Sequence, residues 1–489
     1  MKRSTALALA SALVLFSVAP TTAQERGRVL DPGLAECAGL ATGACSDVDQ
    51  TGTAGSVAVT QNGVSIADID QAGTGNNVIA VQSTFGSAEN EVVVDQSISA
   101  INSSANIAQT GGGNLAQVTQ GGSDSAVGVL QDGTANSSLV DQGSGSQFAS
   151  ATVGQGGSQN VSDVTQTASF AAVVVVQDNG SNGSQGNNSL VTQTGNGALV
   201  VVAQSGQENL SDVGQTASAA SVFVEQLGSN NSSLVDQAGE LVVVNVTQEG
   251  MSNVSRIDQI ATGAFATVNQ AGMRNVAFIR ERAELSGAVI AQDGNDNVAA
   301  IGQADARRGF PVFSIPAIES DFASITQNGS ANQASIAQFG IDQTATISQL
   351  GANNIAGTPG DADDVGILQV GEGQLAEVVQ SGNRNRSNVS QGADSRLVFV
   401  NPNSSFGNRA FVDQSGDDGI STIEQTGDEN AARLADMGDS NVSLIVQAGM
   451  LNVADVAQGG SGNQSTIRQN GAGNRALVAQ DAALPSGAI

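Results

Sequence analysis

The chain has 489 residues, with 46 Asp and Glu against 17 Lys and Arg, and it contains no His, Trp or Tyr. Without histidine there is no imidazole base, no Ser-His or Cys-His pair and no His-containing zinc site; two Cys alone do not make a structural zinc site, and a single lysine, Lys2, leaves no phosphate-binding P-loop. A net charge of −29 without a basic patch or interleaved aromatics excludes nucleic acid as a partner and repels anionic lipid.

Residues 1–23 read as a secretory signal: Lys2 and Arg3 are the positive end, Ala6 to Val18 the apolar stretch, and Thr21-Thr22-Ala23 a small-residue cleavage site. Export is therefore expected. No later stretch approaches the 18 or so apolar residues of a spanning helix, so no membrane span is expected. Residues 24–60 match no repeat and hold Cys37 and Cys45, for which a disulfide is the expectation in an exported segment, with a metal or redox pair as the alternative.

From residue 61 to 480 the chain is a repeat. Gln193, Gln204, Gln215, Gln226, Gln237, Gln248, Gln259 and Gln270 are each eleven residues apart, and the same phase runs through Gln109, Gln120, Gln131 and Gln142 and through Gln447, Gln458, Gln469 and Gln480. The unit is Gln-x-Gly-x-x-Asn-x-Ala/Ser-x-Val/Ile-x-Gln. Asn recurs in alternate units, at Asn209, Asn231, Asn253, Asn275 and Asn297, and also at Asn114, Asn452 and Asn474, so one structural coil is 22 residues.

Asn, Ala, Val and the closing Gln are two apart and share one face of a short strand, while Asp163, Asp212, Asp236 and Asp258 fall on the other. The pattern predicts an all-β fold, a β-solenoid of about nineteen coils with two short strands per coil and Gly at the corners. Inward amides are satisfied only if each coil places its Gln over the next, giving ladders like those of steric zippers. At a rise of about 4.8 Å per coil the expected length is near 90 Å.

Four prolines lie in this region, and they mark three expected loop insertions, near 304–326 (Pro311, Pro316), 350–368 (Pro359) and 392–413 (Pro402). Gln292 keeps the phase, but Glu281 and Asp436 stand where Gln is expected, and burial should raise their pKa, the alternative being that each turns outward at a local kink. The tail, 481–489, carries no repeat.

The unit Gln-x-Gly-x-x-Asn-x-Ala-x-x-x-Gln resembles the curlin repeat of curli fibre subunits, and is matched at 109–120, 270–281 (with Glu281 last), 292–303, 447–458 and 469–480. The resemblance implies a functional amyloid, exported through the periplasm to cell-surface fibres, like a fimbrium or pilus in place, with roles in adhesion and biofilm. It also implies curli-type secretion and nucleation proteins as partners. Compared with curli subunits, this chain has far more coils and lacks their aromatic residues.

The Asn-x-Ser sequons are the repeat's own Asn and small inward residue. Asp361, Asp363, Asp364, Asp417 and Asp418 lack the calcium β-roll pattern and read as solvated loop charges. No catalytic, cofactor or metal site is expected. The outward positions are too mixed for an ice-binding face. The expected function is a structural subunit that self-associates by templated strand addition; the alternative is a non-polymerising solenoid, a surface adhesin or spacer.

Overall fold

The computed structural model describes residues 43–86, 88–180, 185–304, 320–359, 364–392 and 396–481. The signal segment, Cys37, the tail beyond Asp481 and Asp361 and Asp363 lie outside the described residues. All regular structure described is strand, in 38 elements from Ala44–Gln50 to Arg475–Gln480. The chain divides into two compact units, with the boundary between Ser252 and Asn253.

In the N-terminal unit, successive strands alternate between two parallel sheets. The first sheet starts with Ala44–Gln50 and Ser65–Gln71, the second with Ser56–Asn62 and Asn77–Thr84. Each strand pairs with the strand two ahead, so every pair of strands is one turn of a β-solenoid. The register stacks like on like: Val213 lies over Val235 and Gln215 over Gln237 in the first sheet, and Val202 over Val224 and Gln204 over Gln226 in the second. The C-terminal unit repeats this from Val254–Thr262 onward, with Ile279 over Ile301 and Gln447 over Gln469. Together the units make about nineteen coils of roughly 22 residues.

The core is two columns of branched side chains, a first-sheet column mostly of alanine or serine, and a second-sheet column that holds valine at Val200, Val222 and Val244 and alanine at Ala266 and Ala288, all nearly sealed from solvent; Ile69, Ile257, Ile279, Ile290 and Ile347 are among the largest fully buried members. Outward side chains follow the alternation. Asp236 is exposed, and Asp163, Asp212 and Asp258 are partly so.

Two features make the corners. Gly228, at φ +117°, would place a Cβ 2.0 Å from the carbonyl oxygen of Gly250 in the next coil, and Gly111 one 1.8 Å from that of Gly133. Only glycine lets successive corners stack this closely. Further along the corner an ordinary residue takes the left-handed conformation, as at Glu208, Leu241, Arg274 and Leu451. None of the twenty-four described residues of this kind is Val, Ile or Thr, whose branched Cβ fits that region worst.

The structure departs from the sequence reading at four boundaries. Among the described residues the coils begin at Ala44, not at 61. Ala44–Gln50 and Ser56–Asn62 form a coil in register with the next, but its Gln residues stand 21 apart from their successors and it carries no inward Asn. After the first insertion the strand resumes at Phe322, so 322–326 are sheet rather than loop.

The second insertion leaves the middle of a strand. Ile355–Ala356 and Ile367–Glu372 both pair in register with Gln333–Ile341, and between them Gly357 is bridged to Val365. The third expected loop, 392–413, is corrected: Leu397–Ser404 and Arg409–Ser415 are strands, and Pro402 lies within the first of them, buried, opposite Gln425. Pro402 occupies the Gln position, so the sequence phase vanishes there although the coil continues. Its missing N–H shows as a gap in pairing with the preceding coil, where Val378↔Val400 is followed next by Ser381↔Asn403.

Candidate functional site: the amide ladders

The repeat's inward amides converge along the core rather than in a cleft. In the first sheet, Nε2 of each Gln donates to Oε1 of the Gln one coil further on: Gln120 to Gln142 at 3.0 Å, Gln193 to Gln215 at 2.8 Å, Gln215 to Gln237 at 2.9 Å, and Gln458 to Gln480 at 2.7 Å. A second ladder runs through the other sheet, with Gln109 to Gln131, Gln204 to Gln226, Gln226 to Gln248, Gln270 to Gln292 and Gln447 to Gln469 each at 2.8 Å. The second Nε2 proton crosses the core. Gln226 donates it to the carbonyl of Leu210 at 2.9 Å and Gln204 to that of Asn188 at 3.0 Å, tying the two sheets together. Gln259, which leads the first-sheet ladder of the C-terminal unit, is buried likewise.

The Asn column runs the other way. Asn136 donates both its backbone N–H and Nδ2 to Oδ1 of Asn114 in the preceding coil, at 3.1 and 3.2 Å, and the same link joins Asn231 to Asn209, Asn297 to Asn275 and Asn474 to Asn452. Nδ2 also reaches forward to the corner glycine carbonyl, from Asn209 to Gly228 at 3.0 Å and from Asn253 to Gly272 at 3.1 Å. Gln dipoles therefore point toward the C-terminal coils and Asn links toward the N-terminal ones. Each buried amide gains partners that offset a desolvation cost of about 1–3 kcal/mol.

Among the described residues the Gln ladders are interrupted at three points. Glu281 is fully buried, and Oε2 accepts from Gln259 Nε2 at 2.5 Å. Burial pushes its carboxyl well above the ordinary range, and the Gln259 hydrogen bond opposes this only in part. Asp436 is also sealed from solvent, and burial raises it, while hydrogen bonds from Asn441, the Gly438 backbone and Gln414 act the other way. Below Asp436 the missing donor is replaced: the Ser443 hydroxyl donates to Gln458 Oε1. Pro402 is the third interruption, which the sequence reading placed in a loop. It leaves Gln425 Oε1 buried without a partner, although Gln425 Nε2 still donates to Gln447.

Cys45 is disulfide-bonded, and Cys37, the only other cysteine of the chain, lies outside the described residues. Among the described residues no group of three or more His, Cys, Asp or Glu side chains is arranged to hold a metal ion, and no helix is long and apolar enough to cross a membrane. Asp364 is engaged by Thr358, Asn388 and Arg386, which together hold it below the ordinary carboxylate range despite its partial burial.

The curlin associated repeat matches residues 319–351. That stretch carries Gln327-Asn-Gly329-Ser-Ala-Asn332-Gln-Ala334, a full copy of the unit that the sequence reading passed over, and its Gln327 and Asn332 lie in the ladders described here. The curlin repeat is a structural, non-enzymatic one, found in extracellular fibre proteins that self-associate. No curated protein matches the chain.

Proposed function

We propose that this protein is a secreted structural subunit of curli-like extracellular fibres, contributing to adhesion and biofilm matrix and assembling by templated addition of strands. The observation that carries the reading is that the ladder bonds are directional and unfinished at the outermost described coils. Gln50 and Gln61 donate forward, to Gln71 at 2.6 Å and Gln82 at 2.9 Å, but among the described residues no preceding coil supplies their Oε1 with the amide donor that Gln residues have along the uninterrupted ladders. At the other edge, Arg475–Gln480 pairs on one side with Val453–Gln458, and its inward Ala476, Val478 and Gln480 are half-buried where their counterparts are sealed. An unpaired parallel edge with matched side-chain columns is a template for another strand of the same pattern.

The test is assembly of the purified mature chain followed by an amyloid-binding dye, with fibre diffraction of the product. Seeded growth and a meridional reflection near 4.8 Å are expected. A chain that stays monomeric through prolonged incubation with seeds would instead support the non-polymerising adhesin or spacer.

A further inference from the structure

Glu281 sits in the first-sheet ladder directly over Gln303 of the next coil. Along an intact ladder, the atom of residue 281 that faces this coil is a donor and Gln303 Oε1 is its acceptor. Here both are acceptors by element type, Glu281 Oε1 and Gln303 Oε1, and both are buried without a hydrogen-bond partner. The surroundings complete every other link. Gln259 Nε2 occupies Glu281 Oε2, and Gln303 Nε2 is committed to the Gly287 carbonyl at 3.2 Å and to Gln338 Oε1 at 2.8 Å. Two adjacent unpartnered oxygen acceptors in a dry core repel each other, and a single proton between them turns the repulsion into an O–H···O bond.

We propose that Glu281 is carried as the neutral acid, its proton on Oε1 and donated to Gln303 Oε1, so that one titratable proton closes the ladder between these coils and makes the junction a pH-operated latch. Among the described residues no cation competes for the carboxyl. The flanking Arg280 and Arg282 face solvent and engage Asp258 of the preceding coil at 3.2 and 3.8 Å, Glu284 lies on the exposed corner, and Val298–Ala304 of the next coil carries no charge. The opposing strands present Ala266, Val268, Gln270, Ala288, Ile290 and Gln292 to the core. Desolvation acts in the same direction, favouring the protonated form.

Asp436 is the internal contrast. There Ser443 supplies Gln458 Oε1 with a donor, so the facing Gln needs no proton from the carboxyl, and Asn441 Nδ2 reaches Asp436 Oδ1 at 2.7 Å, while Asp436 Oδ2 is buried without a hydrogen-bond partner. The two acidic substitutions in the ladder thus belong to different solutions of the same problem.

The linkage follows from the sign of the shift. A carboxyl whose folded pKa lies above its unfolded value contributes stability below the unfolded value, near 4.5, and that stability is lost as pH rises through the folded pKa, at up to about tenfold in the folding equilibrium per pH unit. The test compares the wild-type chain with Glu281→Gln, and with Asp436→Asn as a control, by infrared spectroscopy at pH 7 and by amide hydrogen exchange of 276–281 and 298–303 from pH 5 to 9. The expected result is a carboxylic-acid C=O band in the wild type that is absent from Glu281→Gln and retained in Asp436→Asn. Exchange protection of those strands should fall with rising pH in the wild type relative to Glu281→Gln at each pH. A Glu281→Gln difference spectrum showing only carboxylate bands, or identical relative protection at every pH, overturns the proposal. So does failure of Glu281→Gln to fold, because Gln offers the same shape and donor.

Discussion

Pro402 fills a ladder position with a side chain that neither donates nor accepts, and its cost is visible in its neighbours. Gln425 Oε1 loses its donor, and Gln380 Nε2 turns to the Ile355 carbonyl and to the Ser387 hydroxyl at 3.0 and 3.1 Å. Pro402→Gln should restore the link from Gln380 through to Gln425, together with a strand N–H. The expected gain is about 1–2 kcal/mol, the value of a buried acceptor regaining its partner plus a ladder bond. Chemical denaturation is the measurement, and a loss of stability would show that the strand has adapted to proline. The serine column makes a second case. Ser138, Ser162, Ser189, Ser211 and Ser233 stack in successive coils, each hydroxyl buried with no partner, at the position that Ala116 and Ala299 occupy elsewhere. Ser189→Ala removes a desolvated hydroxyl that bonds to nothing, so it should be neutral or stabilising by up to about 1 kcal/mol. Clear destabilisation would mean that these hydroxyls hold partners in solution.

A coil works as two strands and two corners, and the corners carry the least forgiving geometry. Gly228→Ala would drive a methyl to 2.0 Å from the Gly250 carbonyl oxygen, at a φ of +117° that alanine avoids. Since a backbone oxygen cannot move without opening the next corner, a loss of about 2–4 kcal/mol is expected, against less than about 1 kcal/mol for a Gly→Ala change at outward Gly154, which meets nothing within 4 Å. Thermal unfolding of the pair measures the difference; equal effects would reject backbone crowding as the reason for the conserved spacing of Gly within the repeat. This corner was partly readable beforehand. The third-position Gly announced it, but the left-handed residue two places later did not, because Glu208, Arg274 and Leu451 carry no chemical mark of that conformation. The strands were readable for a simple reason: a period of two with inward Val, Ala and Gln fixes which face is buried whether or not the turns are known. Where one inward residue changed class, as at Pro402, phase was lost although Val398, Val400, Ala410 and Val412 kept the alternation. The coil at Ala44–Asn62 escaped notice because a 21-residue step and the absence of an inward Asn hide it from an eleven-residue search.

Charge is distributed unevenly along the solenoid. Residues 43–252 contain 18 Asp and Glu and no Lys, Arg or His, whereas all 13 cationic residues between 253 and 481 are arginines interspersed with carboxylates. Self-association of such a chain must bring uncompensated carboxylates together, and Asp212, raised by burial and then by the neighbouring charge of Asp236, already registers that repulsion within one chain. Burial raises Asp95 in the same direction. Carboxyls with raised folded pKa values disfavour the compact state at neutral pH and release that penalty as pH falls toward them, so assembly should accelerate on mild acidification. It should also accelerate when salt shortens the Debye length from about 30 Å at 0.01 M to about 8 Å at 0.15 M. Lag times measured across both variables check this, and a lag that lengthens with salt would point instead to assembly driven by opposite charges, with the arginines of 253–481 as the attracting set.

Growth direction gives the sharpest test of the templating itself. The first described coil contains the disulfide-bonded Cys45 and lies in a segment the repeat does not fully govern, whereas the strand Arg475–Gln480 presents Gln480 and Val478 in register with the coil before it and only half covered. If that strand is the accessible template, a charged, proline-containing helix appended after Ile489 should block the edge on which an incoming strand must pair, because proline offers no N–H and like charges resist stacking. Deleting residues 24–55, by contrast, removes the first strand, Ala44–Gln50, of the imperfect coil at the other edge and leaves the template intact. Fibre mass against time for the two variants should therefore separate, with elongation strongly suppressed by the appended cap and retained in the deletion. Equal growth with and without the cap would exclude the Arg475–Gln480 edge as the template and move the assembly contact to the outward faces of the sheets.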